Sequence, residues 1–227
     1  GGTITGKVIN ENDSAPHFIG KITGDINGSI TIFTGEVENK KGGVIEKGIF
    51  KNKVTNEAGG IINNGTFKGE VTNNGGTISG GTFEGEVKNN GTINNGTFNG
   101  NVTNESGGTI NGGTFYGTVT GINETAYHIV TFQSDNKDYA KQYIIATTAN
   151  AKATKPLAPT KSGYTVVGWY NGSTPWDFEN DTVTQSMTLS AKWTAVSSSG
   201  GGGYYEWPQT PQISCGSGGK AVLSADG

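Results

Sequence analysis

The stretch GGTISGGTFEGEVKNN, residues 75–90, contains five glycines and only three large apolar residues, Ile78, Phe83 and Val87. Such a segment cannot form a hydrophobic core alone, because three side chains bury too little area to offset the entropy lost on folding. The same three residues recur through the first half of the chain at nearly constant spacing. This recurrence indicates a stacked repeat in which neighbouring copies share one core.

The repeat reads aromatic-x-Gly-x-Val. Five copies match it fully, and three more match with one replacement, so the sequence predicts about eight short coils. The full matches are Phe33/Gly35/Val37, Phe67/Gly69/Val71, Phe83/Gly85/Val87, Phe98/Gly100/Val102 and Phe115/Gly117/Val119. The variant copies are Ile4/Gly6/Val8, Phe18/Gly20/Ile22 and Phe50/Asn52/Val54.

The spacing within the repeat separates strands from loops. In the central copies the step from Ile to Phe is five residues and that from Phe to Val is four, whereas the step from Val to Ile varies from six to eight. Insertions collect in loops, while paired strands hold their register. The predicted solenoid core is therefore Phe33, Phe50, Phe67, Phe83, Phe98, Phe115, Val71, Val87, Val102, Ile78, Ile93 and Ile110.

Two corners are predicted in each coil. The position two residues after the Val position is always Asn or Gly, residues that tolerate positive φ, so we expect a left-handed corner there. These residues are Asn10, Gly24, Asn39, Asn56, Asn73, Asn89, Asn104 and Gly121. A second corner is predicted where glycine stands two residues before Phe, at Gly48, Gly65, Gly81, Gly96 and Gly113.

The fold predicted for residues 1–121 is a parallel β-solenoid within an all-β or mainly β protein. No hexapeptide periodicity indicates the left-handed triangular form, so we expect a right-handed path. The alternative interpretation is a disordered Gly/Asn repeat.

A second module begins near residue 126, where the Gly-Gly-Thr repeats stop. Strands are expected at YHIVTF, YTVVGWY and TLSAKW, and a short helix near DYAKQY. Residues 152–194 contain Gly163-Tyr164, Gly168-Trp169-Tyr170, Trp176-Asp177-Phe178 and a final Ala191-Lys192-Trp193, together with Pro156 and Pro159. This pattern resembles the Listeria–Bacteroides repeat, or internalin-type B repeat.

The resemblance implies a small β-grasp-like module, at residues 126–194, of the kind found in bacterial surface proteins as a spacer or stalk. Family members usually carry Asn-Gly-Gly after the first strand, whereas FQSDNKDYAKQY stands here. We expect Trp169, Trp176 and Trp193 to anchor the module's core, the alternative being a sugar-binding platform. Residues 195–227 are read as a Ser/Gly linker, with SSSGGGG at 197–203, and the start of an unassigned segment.

The amino-acid composition of the chain makes some classes of function unexpected. The net charge is −3, and all 16 basic residues are lysine, which leaves no arginine for bidentate phosphate binding and makes a nucleic-acid partner unexpected. The single cysteine, Cys215, cannot form an internal disulfide. No transmembrane run or leader is recognised, so no membrane insertion is expected in this segment, which we take as part of a longer protein.

Few residues of the chain are candidates for catalysis or metal binding. Glu70 and Glu86 occupy equivalent positions in adjacent coils and form the best pair for glycoside hydrolysis. Their column also contains lysines, so a solvated strand face is the favoured interpretation. His17 and His128 have no partner at metal-ligand spacing, and Asp135, Asn136 and Asp138 form at most a weak calcium loop. No cofactor is expected.

The sequence therefore predicts a non-enzymatic extracellular surface or secreted protein, of a Gram-positive bacterium, forming part of an adhesin or stalk. We expect a monomer whose partner is an unidentified host or matrix protein or a glycan. The alternatives are a carbohydrate-active β-helix enzyme and a glycan-binding module without catalysis.

Overall fold

The computed structural model describes residues 3–6, 8–10, 21–22, 25–26 and 29–196. His17, Cys215, Phe18, Gly20 and the predicted linker at 197–203 lie outside these residues. Over the described part the regular secondary structure consists of β-strands, and a single 3₁₀ turn at Glu124–Ala126 is its one helical element. The described residues up to Ala195 belong to one compact unit.

Three parallel sheets build the solenoid, each contributing one short strand per coil. The Phe sheet contains Thr3–Ile4, Ile32–Phe33, Ile49–Phe50, Thr66–Phe67, Thr82–Phe83, Thr97–Phe98 and Thr114–Phe115. The Val sheet contains Val8–Asn10, Val37–Asn39, Val54–Glu57, Val71–Asn74, Val87–Asn89, Val102–Asn104 and Val119–Thr120. The Ile sheet contains Lys21–Ile22, Val44–Ile45, Ile61–Ile62, Thr77–Ile78, Thr92–Ile93 and Thr109–Ile110.

The parallel solenoid is confirmed, with about five complete turns between Phe33 and Phe115. Like residues pair with like across the coils, as in Phe67 with Phe83 and Val71 with Val87. The six stacked phenylalanine rings have centroids 4.7–4.8 Å apart and interplanar angles of 7–9°. The spacing equals the distance between hydrogen-bonded strands, so each ring lies on the next without distorting the backbone.

The predicted count of eight coils is not confirmed. The strand Thr3–Ile4 pairs directly with Ile32–Phe33, and Ile22 pairs with Ile45 in the Ile sheet, not with a Val position. Ile22, predicted to occupy a Val position, is therefore out of the predicted register. A small hairpin, Asp25–Ile26 with Ser29–Ile30, lies between Ile22 and the next strand of the Phe sheet.

The second predicted corner is confirmed, and the first is largely wrong. Gly48, Gly65, Gly81, Gly96 and Gly113 all have φ between 112° and 143°. A Cβ atom on Gly96 would also lie 3.0 Å from the Phe98 ring. Both the positive φ and the lack of space for a side chain therefore favour glycine at this corner. Of the positions assigned to the first corner, Gly121 alone has positive φ among the described residues. The asparagines are extended and buried.

Those asparagines form a ladder through the solenoid interior. In five of the six, the side-chain Nδ2 donates to the Oδ1 of the next asparagine in the ladder at 2.6–2.8 Å, and the last, Asn104, donates to the Gly108 carbonyl at 3.0 Å. The same amides lie within 3.5 Å of carbonyl oxygens, for example that of Thr77 for Asn56. Burial without partners would be costly, so the repeated pairing is what allows a polar column inside the rod. Its members are Asn10, Asn39, Asn56, Asn73, Asn89 and Asn104.

Five strands form the second module: β1 (Tyr127–Ser134), β2 (Lys137–Ile145), β3 (Tyr164–Asn171), β4 (Thr174–Pro175) and β5 (Met187–Ala195). Their order is β2-β1-β5-β3-β4, with β1 and β5 parallel and the other neighbours antiparallel. The short helix expected near DYAKQY is wrong, because this segment is β2. The β1–β2 turn is a two-residue hairpin in which Asp135 and Asn136 have φ of 51° and 62°.

The module continues the Phe sheet of the solenoid. Strand β2 pairs antiparallel with Thr114–Phe115, so one sheet of twelve strands runs from the first coil to β4. The Tyr143 ring meets the last stacked ring, Phe115, edge to face at 5.5 Å. The boundary between the predicted segments 1–121 and 126–194 is thus crossed by backbone pairing and by a shared core.

Candidate functional site

Each of the two predicted acids immediately precedes a strand of the Val sheet, Glu70 before Val71 and Glu86 before Val87. Glu70 lies between two lysines, with Lys88 Nζ at 2.8 Å from one carboxylate oxygen and Lys53 Nζ at 3.2 Å from the other. These hydrogen bonds lower the pKa of Glu70 from 4.5 to about 2. Glu86 is exposed. A general acid for glycoside hydrolysis needs a raised pKa, so the environment of Glu70 disfavours that role.

The other titratable candidates have structural partners. Asp135 accepts from Lys161 at 2.6 Å, and Asp138 is paired with Lys141 and Gln133, whose hydrogen bonds lower its pKa. His128 lies in β1 opposite Ile144. Within the described residues no group of three or more His, Cys, Asp or Glu side chains comes together.

The predicted core residues fall into two clusters. The solenoid cluster contains all the phenylalanine, valine and isoleucine residues predicted from the repeat, each exposed by 3% or less. The module cluster surrounds Trp169, which is 2% exposed and packs edge to face on Phe132 at 5.0 Å. Trp176 and Trp193 are only partly buried. Because Trp169 is buried, the three tryptophans do not form a common platform at the surface.

A polar groove at the junction is the candidate site that sequence reasoning missed. One wall is the solenoid corner that precedes the Phe sheet, and the other is the crossover between β2 and β3. Two adjoining cavities, of about 360 and 290 Å³, share Asn95 and Thr154. Across both cavities the lining contains asparagine amides, threonine hydroxyls and glycine backbone, and no acidic side chain. We call this feature the junction groove.

Buried hydrogen bonds hold the crossover against the solenoid. Gln142, 4% exposed, donates to Thr114 Oγ1 at 2.9 Å and to the Thr154 carbonyl at 2.6 Å, and its Oε1 accepts from the Thr154 amide at 2.9 Å. The Leu157 amide donates to the Tyr116 hydroxyl at 2.9 Å. Burial raises the pKa of Tyr116, so this hydroxyl stays protonated at neutral pH. These contacts make the junction groove a preformed surface.

The solenoid wall repeats with the coils. Asn64 and Asn95 occupy the same corner position two coils apart, with Gly80 between them and Gly112 beyond. Their Oδ1 atoms accept from the amides of Gly65 and Gly96 at 2.8 and 2.9 Å. Within the described part of the chain no hydrogen bond uses the Nδ2 of either asparagine, so two amide donors face solvent at the groove.

The architecture defines a class: a repeat rod whose sheet is extended by a small β-module. Residues 128–192 match the family model of the Listeria-Bacteroides repeat domain, which confirms the resemblance found in the sequence. The chain is 43% identical over 58 residues to Internalin H of Listeria monocytogenes, a match covering 24% of this chain and 11% of that protein.

A second relative is the "Putative Gly-rich membrane protein" of Evansella cellulosilytica, 35% identical over 75 residues, which are 32% of this chain and 8% of that protein. The chain thus spans about a tenth of the length of the proteins it matches. In the described residues no helix is long and apolar enough to cross a membrane.

Proposed function

We propose that this chain is part of a non-enzymatic stalk or adhesin displayed outside a Gram-positive bacterium, where it serves reach and attachment. The observation that carries the proposal is the twelve-stranded sheet, which joins the rod to the module by backbone hydrogen bonds. The match of residues 128–192 to the repeat family, and the similarity of the chain to Internalin H and to the "Putative Gly-rich membrane protein", support a surface location.

The finer features of the fold belong to this proposal. We take the module as β-grasp-like, because a central parallel pair, β1 and β5, is flanked on each side by an antiparallel neighbour. We take the coil path as right-handed. A stalk gains from such a rod because each coil adds about 4.8 Å of length without requiring a wider core.

The alternative of a carbohydrate-active enzyme is disfavoured by Glu70. A carboxylate held ionised by two lysines cannot donate a proton to a leaving group at neutral pH. We therefore assign attachment to contacts made by the protein surface. Each contact is weak, and binding becomes strong when many copies of the protein bind together.

The test compares beads carrying the whole chain at high and low density on an array of glycans and host-matrix proteins. We expect retention at high density, little retention at low density, and no reducing ends released from a polysaccharide panel. Release of reducing ends that the double substitution Glu70→Gln/Glu86→Gln abolishes would overturn the proposal. Failure of dense beads to bind any surface would remove the attachment role.

A further inference from the structure

The junction groove offers a place for the ligand of this attachment role. We propose that it binds an uncharged, extended oligosaccharide across the last coils of the solenoid. That this binding serves attachment rests on the proposed function. That the groove binds a sugar is argued from the residues of the groove alone.

The lining matches the hydrogen-bonding groups of a sugar. Side-chain amides and hydroxyls both donate and accept, as sugar hydroxyls do, and the groove presents Asn64, Asn95, Thr82 and Thr97. An anionic or cationic ligand is less well matched. No carboxylate lines either cavity, and one of the two lysines, Lys152, already donates to the Glu179 carbonyl.

The spacing of the coils suits a repeating ligand. Adjacent levels are about 4.8 Å apart, comparable with the advance of one pyranose ring in an extended chain. Asn64 and Asn95 are two levels apart and bracket the open floor at Gly80 and Gly81. A Cβ atom at Gly80 would lie 2.5 Å from the Asn63 carbonyl oxygen, so the fold itself keeps this floor free of side chains.

The rim supplies apolar contact for the C–H faces of sugar rings. Leu157 is 67% exposed and lines the larger cavity together with Pro156 and Tyr116. Its backbone is fixed through the Tyr116 hydroxyl, so the apolar rim is ordered before a ligand arrives.

A peptide fits the groove less well. Extended peptides are bound chiefly by free backbone groups at a sheet edge. Here the wall crosses coils whose amides are already paired, as in Ser79 N–H to Ile62 O at 2.7 Å and Thr97 N–H to Gly81 O at 2.9 Å. The free donors at the groove are separate side-chain amides, which do not form the continuous row of backbone groups that pairs with an extended peptide.

The test is calorimetric titration of the whole chain with β-linked glucose and N-acetylglucosamine oligomers of two to six sugars. We expect affinity to rise with length up to about four sugars, since the solenoid wall spans four coil levels at about 4.8 Å each. Raising the salt concentration should leave the affinity unchanged, because no charge pairing is involved. A steep loss of affinity with salt would overturn the assignment of an uncharged ligand.

Asn95→Asp provides the decisive variant. A carboxylate still accepts from the Gly96 amide, but it loses the Nδ2 donor, so affinity should fall about fivefold to tenfold. Asn99→Asp is the matched control, because Asn99 is exposed and lines neither cavity. It should bind within about twofold of the parent, with both variants melting at the same temperature.

No binding of any oligomer at millimolar concentration, or equal losses in Asn95→Asp and Asn99→Asp, would overturn the groove assignment. In that case dense beads that still bind the array would leave the attachment role standing with another ligand. Beads that lose retention with Asn95→Asp alone would support both proposals together.

Discussion

The solenoid and the module share one sheet but build their cores by opposite means. In the solenoid, identical residues stack at each level, with rings nearly parallel at 4.7–4.8 Å. In the module, unlike residues interlock, as where Phe132 meets Trp169 edge to face with the rings 78° apart. A stacked core requires only that the same apolar residue recur in each coil, so a few apolar residues per coil are enough to form it. An interlocked core requires side chains of different shapes to fit together, so it depends on the whole sequence of the module.

The largest expected effect comes from breaking the stack. Phe83→Ala should lower the free energy of unfolding by about 3 to 5 kcal/mol, because the ring is fully buried between Phe67 and Phe98 and leaves a cavity. Denaturant unfolding monitored by circular dichroism measures it. Glu84→Ala, one residue away on the outer face, should change stability by less than about 0.5 kcal/mol. Equal losses in the two variants would contradict the register described above.

A smaller but still large effect is expected from breaking the asparagine ladder. Asn73→Ala removes the acceptor of Asn56 Nδ2 at 2.8 Å and the donor to Asn89 Oδ1 at 2.7 Å. Asn56 Nδ2 then keeps only its 3.3 Å contact with the Thr77 carbonyl, and Asn89 Oδ1 only that with the Gly91 amide at 3.3 Å. We expect a loss of about 1 to 3 kcal/mol in unfolding free energy, because each of the two short hydrogen bonds contributes about 0.5 to 1.5 kcal/mol.

The control for the ladder is Asn74→Ala, the next residue, whose exposed side chain donates to Glu57 at 3.0 Å. This change should cost less than about 0.5 kcal/mol. A ladder variant as stable as Asn74→Ala would mean that the buried column contributes specificity of register and not stability. Thermal unfolding of both proteins in parallel distinguishes the two outcomes.

The sequence predicted the stack but not the ladder, although a signal was present. Because asparagine tolerates positive φ, its recurrence at one position of each repeat predicts a corner there. Side chains two apart on a strand share a face, so a residue two positions after an inward Val also points inward. An Asn repeated at that position in six coils, next to a loop of varying length, could have indicated a buried polar column.

Neither the register of the first coils nor the junction groove can be predicted from the repeat pattern of the sequence. The segment FIGKI mimics the repeat at residues 18–22, but Ile22 pairs with Ile45, since pairing is decided by which strands can stack and not by the local motif. The groove depends on the crossover reaching the solenoid through Gln142. Nothing near Gln142 in the sequence marks it as a buried contact between two regions 28 residues apart.

The smallest effect is expected on the outer face, at Glu70. The folded-state pKa of about 2 lies below the ordinary value of 4.5, since Lys88 and Lys53 stabilise the ionised form. The resulting stability is present above about pH 4.5 and is lost as the pH falls toward 2. Because Glu70 and both lysines are partly exposed, Glu70→Gln should cost less than about 1 kcal/mol at pH 7, and the cost should shrink as the pH falls to 2. Urea unfolding at pH 7, 4 and 2 measures the difference, with Glu86→Gln as the control in the same column. If parent and Glu70→Gln lost stability in parallel from pH 5 to 2, the two lysines would not be holding this carboxylate ionised.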